Sequence, residues 1–212
     1  FLANEFFDAL PIKQFFKKKE EWFERYVNFE EIKKAVFKEQ IVNIEEIENE
    51  LNFKISKDQD IIEYSPSSFE YLQKICEIIS KNNGGMLIID YGYLDLKMHE
   101  TLQAVKNHKY IDILEDIGNC DITYNINFNL FKQFINQFDD LNSIISNQKK
   151  FLTIMGILQR AEIISENIPF SKKTDLFYRV RRLVDEKQMG NLFKVMLIKK
   201  TENKFNTGFQ VD

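Results

Sequence analysis

The sequence predicts an α/β fold, and three segments carry that prediction. The chain opens on Phe1-Leu2-Ala3, an apolar start that runs straight into Asn4 and Glu5, as a buried strand entering a polar site would. A helical pattern beginning at Ser65 stops at Asn82-Asn83-Gly84-Gly85, and the apolar run Met86 to Ile89 follows at once. A second apolar run, Leu192 to Ile198, comes near the other end. Helix, glycine stop and continuous apolar strand make half of a parallel crossover unit.

The elements follow in order. After Glu5 come an aromatic pair, Asp8, and Pro11 closing a turn. Ligands of open α/β sheets bind just beyond the carboxyl ends of strands, so this early segment is a candidate site. The first residue is Phe1 rather than Met, and no glycine-rich loop precedes the strand. The expectation is a nucleotide-binding half that is cut away or encoded elsewhere. Residues 12–27 hold Ile12, Phe15, Phe16, Trp22, Phe23, Tyr26 and Val27, a spacing that permits a helix or two extended pieces around a Lys/Glu turn. Residues 28–62 are charged and Ile-rich, with Glu45, Glu46, Glu48 and Glu50, and read as a helix or small strands in a peripheral insertion.

From Ser65 the pattern is clear. A Ser hydroxyl can accept an orphan N–H at a helix start, and Pro66 suits the first helical position, where the N–H is unused. Phe69, Leu72, Ile75, Cys76 and Ile79 recur at helical spacing as one buried face. Glycine tolerates the left-handed conformation that closes a helix. After Asp90-Tyr91-Gly92 a long irregular stretch is expected to about residue 126, of the kind that is usually functional or disordered. Asn127 is placed to cap a helix carrying Leu130, Phe131, Phe134, Ile135 and Phe138. One helix is expected over 148–166 and another over 174–183, before the last strand. No internal repeat or low-complexity linker stands out.

Composition narrows the classes. With 212 residues, 44% hydrophobic and 20 Phe, the chain suits one domain with an ample core. A net charge of −4 argues against a nucleic-acid binder, and Lys17-Lys18-Lys19 is followed at once by Glu20-Glu21, a solvated surface. Cys76 and Cys120 are two and far apart, which favours a buried thiol over a disulfide and a reducing compartment. No stretch reaches the roughly 18 apolar residues of a membrane span, and no signal peptide is visible in these residues, although a missing N-terminus could have carried a targeting segment. His99 and His108 lack helical ligand spacing and there is no Cys pair, so no metal site is expected. Neither a Gly-x-Ser-x-Gly elbow, a Walker motif nor a Gly-x-Gly-x-x-Gly run occurs.

Three groups of residues could carry chemistry. Asn4, Glu5 and Asp8 stand where the first strand ends, and Asp90 ends the next in sequence, so the acids could share a cleft; alternatively, Asn4 and Asp8 cap a helix or turn and Glu5 is structural. Asp90-Tyr91-Gly92 is either a site wall, with Tyr91 against a ligand, or an ordinary strand-to-loop turn. His108, with Asp121 and Thr123, is either a substrate-orienting or proton-accepting group or a surface residue among turn hydrogen bonds.

The string Ala3-Asn4-Glu5-Phe6-Phe7-Asp8-Ala9-Leu10-Pro11 resembles the MidA family of S-adenosylmethionine-dependent methyltransferases, related to the mitochondrial complex I assembly factor that methylates a protein arginine. Four further motifs follow in that family's order: Gly84 to Gly92, Thr101 to Val105 with His108, Asp121-Ile122-Thr123 with Asn127-Phe128, and Met189 to Val195. The chain departs from the family at Gln103, Val105, Asn125 and Asn127. The resemblance implies two extended pieces over 12–27. It also implies that residues 1–212 are the C-terminal portion of one class I methyltransferase Rossmann-like domain, with the N-terminal cofactor-binding strands absent and a cap, lid and helical region over 93–185. It further implies S-adenosylmethionine as cofactor and a protein arginine as substrate, on a respiratory complex I subunit, in the bacterial cytoplasm or mitochondrial matrix. In that assignment Glu5 and Asp8 are catalytic, Asn4 contacts the cofactor, and Asp90, Tyr91, His108, Asp121 and Thr123 line the substrate cleft. A rival expectation from the same residues is a non-catalytic remnant, or the second half of a split gene, that partners the missing N-terminal half as an assembly module.

Overall fold

The computed structural model describes residues 1–31 and 34–209, with the backbone alone at Glu31. In chain order the elements are β1 (Leu2–Asn4), β2 (Lys13–Lys18), β3 (Glu21–Glu31), β4 (Lys34–Val42), α1 (Ile44–Leu51), β5 (Ile61–Tyr64), α2 (Pro66–Asn82), β6 (Gly85–Tyr93), β7 (Gln103–Lys106), β8 (Lys109–Ile111), β9 (Asp121–Thr123), β10 (Ile126–Asn127), α3 (Phe128–Ile135), β11 (Leu141–Asn147), α4 (Gln148–Ile154), α5 (Ile157–Glu166), α6 (Phe170–Val184), α7 (Met189–Leu192) and β12 (Phe193–Lys200). They group into two compact units. The first takes residues 1–5, 75–93 and the chain from 135 onward; the second takes 6–74 and 94–134, so the boundary falls inside α2.

The first unit is built on a mixed sheet in the order β1-β6-β12-β11. β1 pairs β6 in parallel, whereas β12 runs antiparallel to both of its neighbours. Seven of the eight residues of β12 are buried, because a strand flanked on both sides and covered on both faces leaves no side to water. Its two buried lysines are accommodated by backbone: Lys194 Nζ donates to the Gly92 carbonyl at 2.9 Å and to Asn191, and Lys199 to Asn203. Gly85 is required by close approach, since a Cβ there would lie 2.8 Å from the Ile198 carbonyl oxygen of the neighbouring strand. Phe151 of α4 packs with Val195, Leu197 and Phe209 against one face of this sheet.

The second unit carries an antiparallel sheet in the order β4-β3-β2-β5 and a smaller one in the order β8-β7-β9. Its core is aromatic. Phe69 meets Phe131, Phe134 and Tyr64 edge-on, Phe7 meets Phe131 in the same way, and Phe15 stacks on Tyr64. Edge-to-face pairs of this kind contribute about 0.5–1.5 kcal/mol beyond area burial.

Several expectations hold. Ser65 Oγ accepts from Ser68 N at 3.2 Å, and Asn127 Oδ1 from Leu130 N at 3.0 Å, so both predicted caps form. Residues 12–27 are two extended pieces, β2 and β3. Both cysteines are free, and Cys76 is buried. Others are corrected. The stretch after Gly92 is not irregular to 126: it contains β7, β8 and β9, strands of three or four residues that are too short to show alternation. The single helix over 148–166 is broken into α4 and α5 at Gly156, whose φ of +80° no helix accepts. The left-handed residue that closes α2 is Asn83, at φ +63°, with Gly84 behind it. α3 stops at Ile135, so Phe138 lies beyond it. β11 fell in a segment with no strand expectation.

Candidate active site

The parallel register of β1 and β6 pairs Leu2 with Leu87, Ala3 with Ile88 and Asn4 with Ile89, so the two strands end together. Glu5 continues the ladder, donating its backbone N–H to the Ile89 carbonyl at 3.0 Å. At this residue the backbone turns sharply: φ is +45°, a left-handed conformation that a glutamate adopts only against a steric cost of order 1–2 kcal/mol. The turn leaves Asn4 and Glu5 exposed side by side, the Asn4 amide donating to Glu5 Oε1 at 3.4 Å. On the neighbouring strand Asp90 is fully buried, and its Oδ1 accepts the Tyr91 N–H at 2.9 Å. Tyr91 packs its ring 4.0 Å from that of Phe193, tilted by 42°. The register partner of Asp90 on β12 is Lys194. Sequence reasoning quoted this lysine within the Met189 to Val195 motif but gave it no role; its isolation as a basic residue inside an apolar strand was the available signal.

Asn4, Glu5, Asp90 and Tyr91 therefore stand together at one carboxyl edge of the first unit. The remaining predicted residues belong to the second. Asp8 is buried, and its backbone carbonyl accepts the Tyr124 N–H at 3.2 Å. His108 is exposed and forms the tight β7–β8 turn with Asn107, at φ of +61° and +50° respectively. Asp121 is exposed on β9 opposite Val105, and Thr123 lies opposite Gln103, whose side-chain amide donates to Thr123 Oγ1 at 3.2 Å. His108, Asp121 and Thr123 thus share one three-stranded sheet, with His108 at its turn.

Two carboxylates outside the predicted set are held by dense hydrogen bonding. Glu63, on β5, is buried and accepts from Gln14 Nε2 at 2.7 Å, from the Thr101 hydroxyl and N–H, and from Leu102 N at 3.3 Å. Burial raises its pKa above the ordinary carboxylate value, and the bonds from Thr101, Gln14 and Leu102 pull the other way without cancelling it. Glu48 on α1 accepts Ile55 N, Ser56 N and the Ser56 hydroxyl on one oxygen and the Lys54 ammonium on the other. Burial raises its pKa too, but the Lys54, Ser56 and Ile55 contacts outweigh it and the net shift is downward. Neither carboxylate had a sequence signature: the partners of Glu63 are 38 residues and more away, and those of Glu48, though only six to eight residues on, are mainly backbone and hydroxyl groups that form no motif. Burial, with smaller contributions from Asp140 and Glu77, pushes the Cys76 thiol up to about 12, which leaves it an inert packing residue.

With the geometry in hand, known proteins add the family. A family model described as "Putative S-adenosyl-L-methionine-dependent methyltransferase" matches residues 1–146. The chain is 27% identical over 197 residues to the Xenopus laevis protein arginine methyltransferase NDUFAF7, mitochondrial, covering 92% of this chain and 44% of that protein. It is 30% identical over 162 residues to the Caenorhabditis elegans homolog, covering 76% and 38%. The chain thus spans less than half the length of these curated relatives. Two crystal structures of Burkholderia thailandensis proteins share the fold at 23% identity. One superposes with a TM-score of 0.78, covering 98% of this chain and 57% of that one. The other, with S-adenosyl-homocysteine bound, gives 0.76, covering 99% and 54%. The match over residues 1–146 carries the assignment: the chain belongs to this family of S-adenosyl-L-methionine-dependent methyltransferases.

Proposed function

We propose that the chain is part of a protein arginine methyltransferase acting on a respiratory complex I subunit, in the mitochondrial matrix or the bacterial cytoplasm. The observation that carries this reading is Glu5: an exposed carboxylate in strained backbone, at the carboxyl edge where two parallel strands end. Strain of this kind tends to persist where a side chain must be aimed. The named curated relatives are protein arginine methyltransferases, which supports the substrate class.

S-adenosylmethionine, the cofactor of the family, supplies the methyl group. The residues present fit its cationic end, because Asn4 and Glu5 form an open amide–carboxylate pair at the edge where such a ligand binds. A guanidinium is always charged and its lone pairs are delocalised, so it is a poor nucleophile. In this reading Glu5 accepts hydrogen bonds from the guanidinium, fixes its plane and concentrates its charge on one side, leaving the opposite nitrogen as the nucleophile; the resemblance gives Asp8 a catalytic role as well. Holding the reacting atoms roughly 3–3.5 Å apart and in line contributes most of the acceleration. Asn4 contacts the cofactor. Asp90 and Tyr91 shape the substrate side from the adjacent strand, and the resemblance assigns His108, Asp121 and Thr123 to substrate binding as well. Residues 1–212 act as the C-terminal portion of the catalytic domain.

The test is methyl transfer from radiolabelled S-adenosylmethionine to proteins of a mitochondrial or bacterial extract, with the chain alone and with the segment that completes the relatives' length. Label recovered as methylarginine on a complex I subunit supports the reading. Label absent under both conditions, or found on another residue type, overturns it.

A further inference from the structure

One face of the first unit is unlike the rest of the molecule. Helix α6 carries Lys172, Lys173, Arg179, Arg181 and Arg182 against a single acid, Asp175, in a chain whose net charge is −4. Helical spacing puts Leu176, Val180 and Leu183 on one side, where Val180 is buried and the two leucines half-buried. The opposite side presents Phe170, Phe177, Tyr178, Arg181 and Arg182 to solvent. Phe170 is 84% exposed and Tyr178 64%. The neighbouring α5 adds Ile163, 63% exposed. Arg179 pairs with Asp175 at 3.0 Å and Arg181 with Asp185 at 3.4 Å, both exposed pairs of little worth. Lys172, Lys173 and Arg182 have no ion pair among the described residues.

We propose that this face of α6, with Ile163 of α5, docks on an anionic lipid surface. A membrane interface rewards this combination: aromatic and aliphatic side chains enter the headgroup region while arginines and lysines meet anionic lipids. Charge favours an anionic lipid surface: the helix carries five basic residues against one acid, and its exposed aromatic rings suit the headgroup region. No helix among the described residues is long and apolar enough to cross a membrane, so the contact is peripheral. The inference does not rest on the arginine-methyltransferase reading.

The experiment is flotation of the chain with vesicles of phosphatidylcholine alone and of phosphatidylcholine mixed with phosphatidylserine, over a salt series. The expected result is partition into the mixed vesicles at least about tenfold above the neutral ones, falling as salt rises. R181E/R182E should lower it by about tenfold or more at low salt, and F170A/Y178A should weaken it with the salt slope unchanged. All four residues are exposed, and circular dichroism and melting confirm that each variant folds; if one does not, the single variants R182E and Y178A and the salt series on the unaltered chain decide the point. Equal partition into both vesicle types, no binding to either, or binding unchanged in the variants overturns the proposal. So does binding to polyglutamate as tight as to mixed vesicles and indifferent to F170A/Y178A, which would make the face a site for an acidic polypeptide.

Discussion

Glu5 donates its backbone N–H to the carbonyl oxygen of Ile89 at 3.0 Å while its own φ stands at +45°, so it is at once the last rung of a parallel ladder and a strained turn. The strain separates two roles that one substitution would normally confound. Glycine adopts this conformation freely, so Glu5→Gly should leave the melting temperature unchanged or raise it, with a gain of up to about 1 kcal/mol. If the carboxylate grips the substrate, both Glu5→Gly and Glu5→Gln should cost about ten- to a hundredfold in methyl transfer, the equivalent of one charge-assisted bond. Melting curves beside a methyl-transfer assay read the two effects independently. Full activity in both variants would reduce Glu5 to a turn residue.

The β6–β12 pairing gives a sharper structural prediction. A Cβ at Gly85 would meet the Ile198 carbonyl oxygen at 2.8 Å, and that oxygen belongs to the backbone of a central, fully packed strand that cannot step aside. Gly85→Ala should therefore destabilise by about 1–3 kcal/mol, the usual cost of forcing extra volume into a packed region. Urea unfolding would show this as a lower midpoint at constant slope. Gly84→Ala, with open space around its Cβ position, separates the effect of contact from that of backbone conformation, since only its φ of +111° is at stake.

These relationships show which parts of the molecule a sequence displays. Long elements with one buried face were legible: α2 with its Ser65 cap, the apolar β6 and β12, and β1 leading into Asn4 and Glu5. So was the convergence of Asp90 with Glu5, because parallel strands that are neighbours in a sheet must end on the same side. What escaped had local or non-local causes. β7, β8 and β9, at three or four residues each, cover no more than two periods of the alternation that marks a strand. The Asn107-His108 turn that organises two of them takes two left-handed residues, neither of them glycine. The partners of Glu63 lie 38 residues and more along the chain from it, and Lys194 is 102 residues from the carbonyl it reaches. Periodicity reports which face of an element is buried; it does not report which polar group on another element that face must satisfy.

Glu48 ties α1 to the segment that follows it, taking three donors from Ile55 and Ser56 and the Lys54 ammonium. Its pKa is lowered in the folded state, so the folded protein holds a proton there less tightly than the unfolded chain does. The stability it contributes is present above the ordinary carboxylate pKa and is lost as pH falls through the lowered value. Glu48→Gln should lower stability near neutral pH by about 1–3 kcal/mol, since an amide presents its own donors to backbone N–H groups. The difference from the unaltered protein should shrink on acidification, because the unaltered protein loses its carboxylate there. Thermal melts between mild acid and neutrality check this, and a difference that stays constant with pH would mean that the charge of Glu48 contributes nothing.

Glu63 presents the opposite sign. Burial raises its pKa despite the donors from Thr101, Gln14 and Leu102, so the folded protein holds that proton more tightly than the unfolded chain does. Its contribution is therefore full below the ordinary carboxylate pKa and is lost as pH rises from that value through the raised one. Glu63→Gln removes the titration and with it this slope, while the amide turns a donor toward Thr101 and Leu102 and costs about 1–3 kcal/mol across the range. The variant should consequently lie below the unaltered protein at acid pH by more than it does at neutral pH, the reverse of Glu48→Gln. The same pair of melts on E48Q and E63Q thus tests both signs at once. Parallel pH profiles in the two variants would show that hydrogen bonding alone, and not the ionisation of either carboxyl, sets their contribution.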